Sequence, residues 1–348
     1  MGEYKECDGL KYIMEQRLEK GEDHQIPTDL KDCIDKFKQI EKILNEKYHK
    51  DVNLGPALKS GDLLTDHGSD HVQMVMERAK QIIGKKHEDL TVYEIFILLL
   101  AIHFHDIGNI YGREGHEQKI SEVMDDMGKQ LPLDDADKKY IKIIAMAHGG
   151  YADENNTDKD TIRTLLPETT RSSVKIRPSL LAAILRFADE LADDFSRAFN
   201  GKIVPPHNEI YHAYSKVLEL SIRENTAIFK YNIPYEYTQK KMKKGEEKRY
   251  LYDEILDRLQ KCLSELDYCR KYSGDYIGIT VLSVSIYVTK NNTKDKLIDS
   301  FRLRLLGYPH GLKLSSFIER YEQDGSLMPN QGLNYPSGKD LRKKCKEA

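Results

Sequence analysis

From the N-terminus to about residue 200, apolar positions repeat at three- and four-residue intervals, the period of an amphipathic helix. Ile34, Phe37, Ile40, Ile43 and Leu44 form one such stripe, and the loop KDVNLGPALKSGD breaks it with Gly55, Pro56 and Gly61. Further helices are expected from Ser69 to Gly84, from Thr91 to Gly108, from near His116, and from Asp135 to His148, the last closed by Gly149-Gly150. The polar stretch from Tyr151 to Arg177 reads as a long loop, and Pro178 opens a helix through LLAAILRFADELADDF. After Pro205-Pro206 the period changes to alternation. Val217–Ile222 and Ala227–Ile233 read as strands around a Glu224-Asn225 turn, followed by a helix over about Arg249–Lys271 and a strand-like YIGITVLSVSIYVT. The pattern predicts a helical extension over residues 1–60, a helical domain over 61–200 and a smaller α+β region over 201–348. QKKMKKGEEKR reads as a solvated basic loop, with a phosphate contact as the alternative.

With 348 residues, 39% hydrophobic and 32% charged, the chain is long enough for one large domain or two ordinary ones. A net charge of −3, from 54 basic and 57 acidic residues, argues against a protein that coats nucleic acid through bulk charge. The longest apolar run, Ile95–Ile102, is well short of the roughly 18 residues of a membrane span. The first thirty residues hold no apolar signal core. Five cysteines without CxxC spacing fit reduced thiols better than a disulfide framework or a zinc site. A cytoplasmic protein with no membrane association is expected.

The histidines change this bland picture, because seven of the twelve fall between residues 67 and 148. His148 shares a helix face with Ile141, Ile144 and Ala145, and His116 with Ile120, Val123, Met124 and Met127. Asp189 follows Ala182 and Leu185, His71 sits beside Met74 and Val75, and His105-Asp106 ends the most apolar run. For any one of these residues, a satisfied core side chain is the ordinary explanation. Several imidazoles and two carboxylates directed inward together are different, since unpaired buried carboxylates are costly and a divalent cation is the simplest shared partner. Such donors suit Mn, Fe, Zn, Co or Ni, whereas Ca or Mg prefers oxygen alone.

These motifs resemble the HD-domain metal-dependent phosphohydrolase superfamily. The family's ordered pattern of His, His-Asp and Asp on successive helices is met by His71 in DHGSDHVQMV, His105-Asp106 in LLLAIHFHDIGN and Asp189 in LLAAILRFADELADD. The likeness covers about residues 62–199 and is nearest to a bacterial subgroup with an HG…HDIG…AHGG…ADEL pattern. It implies an all-α HD-domain helical bundle, here with a C-terminal α+β appendage. His116 in GREGHEQKIS and His148 in AMAHGG fall where dinuclear members carry second-metal ligands, which would make Asp106 a bridge. Two departures stand out. Asn109 occupies the place of a lysine that can contact phosphate in many relatives, and no GYP motif follows HDIG, which disfavours the cyclic-di-GMP branch.

The resemblance implies hydrolysis of a phosphoester by metal-activated water. Asp106, His116 and His148 would form the catalytic centre. His71, His105, Asp106, His116, His148 and Asp189 would bind one or two divalent ions (Mn, Fe, Zn, Co, Ni or Mg). His67, Asn109, Arg113 and Arg186 are candidate substrate contacts. Against these, His67 suits a turn, Arg113 an exposed surface and Arg186 a carboxylate partner, while His103, two before His105, reads as core packing. The expected substrate is a nucleotide, cleaved as by a nucleotidase or triphosphohydrolase. The alternatives are a dinuclear phosphodiesterase or nuclease acting on cyclic or single-stranded nucleic acid, and a nucleotide-sensing module without turnover. The region after Asn200 has no metal-capable cluster and is expected to shape access or to contact a protein partner or a second copy.

Overall fold

The most apolar stretch of the chain, residues 92–104, forms a helix in which every position is buried. A computed structural model describes residues 9–30, 32–56, 67–153, 155, 157–193, 206–290, 296–305, 307, 312–321, 327–328 and 332–347. The Gly61 break, the domain edges expected at residues 61 and 200, and Cys7 lie outside the described residues. The chain divides into two units, Met1–Ala192 with Tyr272–Ile277, and Asp193–Lys271 with Gly278–Ala348.

The first unit contains α1 (Leu10–Glu19), α2 (Cys33–Ile43), α3 (Ser69–Ile83), α4 (Val92–Phe104), α5 (Ile120–Met127), α6 (Asp135–Met146) and α7 (Pro178–Glu190). Helix α4 lies against α1, α2, α3, α6 and α7, which explains why it has no polar face. Each of its buried Leu, Ile and Phe side chains stabilises the fold by roughly 1.5–3 kcal/mol. Residues 92–111 are the one described stretch long and apolar enough to cross a membrane, and they are nearly all buried within the protein.

A capping box sets the start of α4. The Thr91 hydroxyl accepts from the Glu94 N–H (3.1 Å), and the Glu94 carboxylate accepts from the Thr91 N–H (2.8 Å). The buried Glu94 also receives Arg177 Nε and Nη2, each at 2.7 Å, which ties the start of α7 to that of α4. Helix α4 stops at Phe104, short of the expected Gly108, because Asp106 leaves helical geometry (φ −104°, ψ 2°) and a 3-10 turn over Ile107–Tyr111 follows. The segment expected to be one loop, 151–177, instead holds a hairpin of β1 (Thr169–Arg171) and β2 (Val174–Ile176). Arg171 anchors it through ion pairs with Asp29 (2.9 Å), Asp134 and the buried Asp137 (3.1 Å).

The second unit contains α8 (Glu209–Val217), β3 (Leu218–Arg223), β4 (Thr226–Pro234), α9 (Tyr235–Gln239), β5 (Met242–Lys244), β6 (Glu247–Arg249) and α10 (Leu251–Ser273), whose last two residues belong to the first unit. It continues with β7 (Val281–Thr289), β8 (Lys296–Arg304), β9 (Ile318–Tyr321), β10 (Leu327–Met328) and α11 (Gly338–Glu347). The main sheet has the order β10-β9-β8-β7-β4-β3 and is antiparallel except for the β4–β7 pair. A parallel pair needs a long crossover, and the segment carrying α10 supplies it. Buried alternate positions of β4 (Ala227, Phe229, Tyr231, Ile233) and β7 (Leu282, Val284, Ile286, Val288) share the core of this unit with the α10 stripe Ile255, Leu259, Leu263 and Leu266.

Two features of this unit differ from the sequence pattern. Helix α8 runs directly into β3, and the basic 239–249 segment is a hairpin about Gly245 (φ +58°) rather than a free loop. Three of its cations are ion-paired: Lys240 reaches Glu209 at 2.6 Å, and Lys244 and Arg249 reach the buried Glu254 at 2.8 and 3.3 Å. The architecture is mainly helical with an α+β appendage, as the hydrophobic pattern predicts.

Candidate metal centre

The turn that ends α4 carries the centre of the site. His105 is completely buried and its Nδ1 donates to the Ile102 carbonyl at 2.7 Å, which leaves Nε2 with a lone pair. The same device recurs twice. His116 Nδ1 donates to Arg113 O at 3.0 Å, and His148 Nδ1 to Ala145 O at 2.6 Å. Three imidazoles are thus fixed in one tautomer, each with its Nε2 lone pair turned toward Asp106.

Asp106 divides its two carboxylate oxygens between two groups of donors. Oδ2 lies 3.3 Å from His105 Nε2 and 3.8 Å from His71 Nε2, whereas Oδ1 lies 3.0 Å from His116 Nε2 and 3.7 Å from His148 Nε2. Asp189, from the last turn of α7, closes the first group with Oδ1 3.1 Å from His71 and 3.7 Å from His105. Within the set His71, His105, Asp106 and Asp189, and within the set Asp106, His116 and His148, the donor atoms all lie within 4.8 Å of one another. The Asp106 side chain is 6% exposed and that of Asp189 27%, so the centre opens on the Asp189 side.

The chemistry of these donors fits a divalent cation. Nε2 of His105 and of His116 is buried without a partner in hydrogen-bond geometry among the described residues, although carboxylate oxygens surround both. A lone pair facing a lone pair needs a proton or a cation between them. At His105 a proton can take that role. Burial disfavours the imidazolium form of His105, yet the Asp106 and Asp189 carboxylates push it up to about 10. Burial likewise disfavours the Asp106 and Asp189 carboxylates. The imidazoles around them (chiefly His67 and His105 for Asp106, His105 and His71 for Asp189) hold both well below the usual carboxylate range.

Glycine makes the two groups meet. A Cβ on Gly108 would fall 2.0 Å from the His116 carbonyl oxygen, so only glycine lets the 116 segment cross directly over the turn after Asp106. A Cβ on Gly149 would come within 2.9 Å of Glu117 Oε1, so the glycine after His148 makes room for the neighbour of His116.

The other sequence candidates fall around this core. His67 Nδ1 donates to Asp106 Oδ2 at 2.6 Å, so its ring reaches the shared carboxylate. Asn109 Nδ2 donates to Asp106 Oδ1 at 3.1 Å, and Arg113 Nη1 lies 3.4 Å from both Asp106 Oδ1 and Asn109 Oδ1. Arg113 is 46% exposed, at the rim. Arg186 donates to the Lys159 carbonyl (3.3 Å) and the Thr161 hydroxyl (3.1 Å), bracing the segment after His148. His103 turns away, as its spacing predicts, onto His49 Nε2 at 3.2 Å and the Phe37 ring. Three supporting groups escape a reading by residue type, the carbonyls of Ile102, Arg113 and Ala145, because a backbone acceptor carries no mark in the sequence.

This ordered His, His-Asp, Asp cluster on a helical scaffold is the arrangement of an HD-type domain. A family model described as HD-CE matches residues 61–261, more than half of the chain, and the chain belongs to that family. No curated protein and no solved structure matches it. Family and cluster together suggest a metal-dependent hydrolase.

Proposed function

We propose that the protein is a metal-dependent phosphohydrolase that cleaves a phosphoester of a nucleotide. The observation that carries this reading is the division of Asp106, with Oδ2 toward His71 and His105 and Oδ1 toward His116 and His148. His71, His105, Asp106 and Asp189 would hold one cation, and Asp106, His116 and His148 a second. Bound divalent cations supply Lewis-acid stabilisation of phosphoryl oxygens and activate water at neutral pH.

The chain's own groups do the rest. His67 and Asn109 fix the Asp106 carboxylate by donating to its two oxygens. Arg113, exposed at the rim beside Asp106, contributes a guanidinium for a phosphate oxygen, a contact that Asn109, standing where many HD relatives carry a lysine, does not supply as a cation. In the reaction, water oxygen bonds to phosphorus, the bond from phosphorus to the leaving oxygen breaks, and a proton ends on that oxygen. The ion-paired Lys240 and Lys244 support a small nucleotide over a long polyanion, because their charge is already matched by Glu209 and Glu254.

A second reading is a phosphodiester, cyclic or single-stranded, and the presence of two donor sets around one carboxylate favours it. Purified protein stripped with chelator and reloaded with Mn, Fe, Zn, Co, Ni or Mg should be assayed on mononucleotides, triphosphates, cyclic nucleotides and short oligonucleotides. Metal-dependent release of phosphate or of a nucleoside supports the proposal. Tight metal binding with no turnover on any of them would replace it with a sensing module.

A further inference from the structure

A cavity of about 480 Å³ lies in the first unit, lined in part by Gln118 and by Ala147 and Gly149, the close neighbours of His116 and His148. Its other walls include Tyr140, Tyr151, Ile143, Met146 and Leu165, with the Glu117 carboxylate as a polar group. That volume lies within the range of small-molecule sites, and Gln118, Lys139, Thr161 and Thr164 add further polar groups to the lining. Glu117 has two notable properties. Its side chain is only 16% exposed, and it makes no hydrogen bond among the described residues, its nearest partner being His116 Nδ1 at 3.4 Å. A carboxylate accepts and cannot donate, so a ligand edge bearing N–H groups would satisfy it.

We infer that this cavity is the base pocket of the nucleotide substrate, in which Tyr140 and Tyr151 flank a planar heteroaromatic ring and Glu117 accepts from its N–H edge. The assignment rests on the phosphohydrolase reading only for the position of the phosphate. The phosphate is placed on the His116–His148 side of the centre and the nucleoside in this cavity, whose lining begins one residue from each of these histidines, at Glu117, Ala147 and Gly149. Lys159 holds the Tyr151 ring, its Nζ 5.5 Å from the centroid. Guanine, with adjacent ring N–H and amino donors, matches Glu117 best, whereas uracil offers a single N–H between two carbonyls.

The test separates the pocket from the chemistry by using ligands without phosphate. Calorimetric titration of guanosine into metal-stripped protein should show binding that Ile143→Trp, which fills the cavity, weakens at least about tenfold. Tyr151→Ala, at a position 44% exposed, serves if the tryptophan variant fails to fold, and should weaken binding about tenfold, the order of one lost base–aromatic stack. Uridine should bind more weakly than guanosine, and equal binding by the two would overturn the role of Glu117. In the metal-loaded protein either variant should raise KM for GMP and leave turnover of ribose 5-phosphate, which has no base, unchanged. No guanosine binding in the wild type, or equal losses on both phosphoesters, overturns the pocket. Guanosine binding that is lost in the variants, in a protein that hydrolyses no phosphoester, upholds the pocket and removes the phosphohydrolase reading instead.

Discussion

Replacing Asp106 by alanine removes the carboxylate that both donor groups share. The change severs contacts of 2.6 Å to His67, 3.3 Å to His105 and 3.0 Å to His116 within a centre where Asp106 is 6% exposed. Breaking a buried ionic cluster by deleting one partner costs roughly 3–5 kcal/mol, lessened here because His105 can lose its proton once the carboxylate is gone. Measured against the roughly 5–15 kcal/mol of an ordinary domain, the helical fold should survive with a lowered Tm. Metal binding should suffer more. The first group keeps His71, His105 and Asp189, and the second keeps only His116 and His148, so one weakly held ion at most should remain. Since losing even a supporting hydrogen bond to a metal ligand costs about 10–100-fold in affinity, losing a shared ligand should exceed that. Metal content by plasma mass spectrometry, far-UV circular dichroism and turnover on the best phosphoester would be read side by side. Full metal content with full activity in Asp106→Ala would refute the whole account of the centre.

Four further outcomes are expected. His148→Ala should lower bound metal from about two ions to about one per chain, because it strips the second group and spares the first; an unchanged stoichiometry would make His148 a substrate or packing residue. Gly108→Ala should displace the His116 carbonyl that lies 2.0 Å from the new Cβ, reducing second-ion affinity and Tm together, and a variant with wild-type values of both would contradict the close crossing. Burial and neighbouring imidazoles hold His49 well below 6.5, so its unfolded form takes up a proton that the folded form refuses; its contribution to stability is present above about pH 6.5 and is lost below it, by up to about 1.4 kcal/mol per pH unit. Urea midpoints from pH 7 to 5.5 should therefore fall less steeply in His49→Asn than in the wild type. Lys240, Lys241, Lys243 and Lys244 changed together to Ser should leave mononucleotide turnover nearly unchanged, and a large loss would assign chemistry to the second unit.

The helices that bring the donors together are legible in the sequence because their apolar faces are unbroken and their ends are marked, by Thr91 with Glu94, by Pro178 and by Gly84. The gathering of His71, His105, Asp106, His116, His148 and Asp189 follows from the same periodicity, since an inward face leaves few places for a polar side chain to go. Pairwise geometry is another matter. Nothing in the spacing says that His67 reaches Asp106, or that Gly108 is bare because a carbonyl lies against it. The hairpins Thr169–Ile176 and Met242–Arg249 escape because three-residue strands are too short to carry a period, and what fixes them is charge contacted outside the hairpin, Asp137 for Arg171 and Glu254 for Lys244. Helix α8 escapes because no glycine or proline separates Val217 from Leu218, so helix passes into strand without punctuation.

The donors of the first group come from chain positions 71, 105, 106 and 189, on α3, on the turn after α4 and on α7. An ion shared among them would act as a reversible cross-link, closing a circuit of more than a hundred residues that has no covalent staple. Any fluctuation that parts His71 from Asp189 must also release the ion, so opening of α3 and opening of α7 become one event. At a free metal concentration a hundred times the dissociation constant, that linkage adds about 2.7 kcal/mol to the resistance against unfolding. Amide exchange in these two helices should then slow in step as metal is raised, though they are far apart in the sequence.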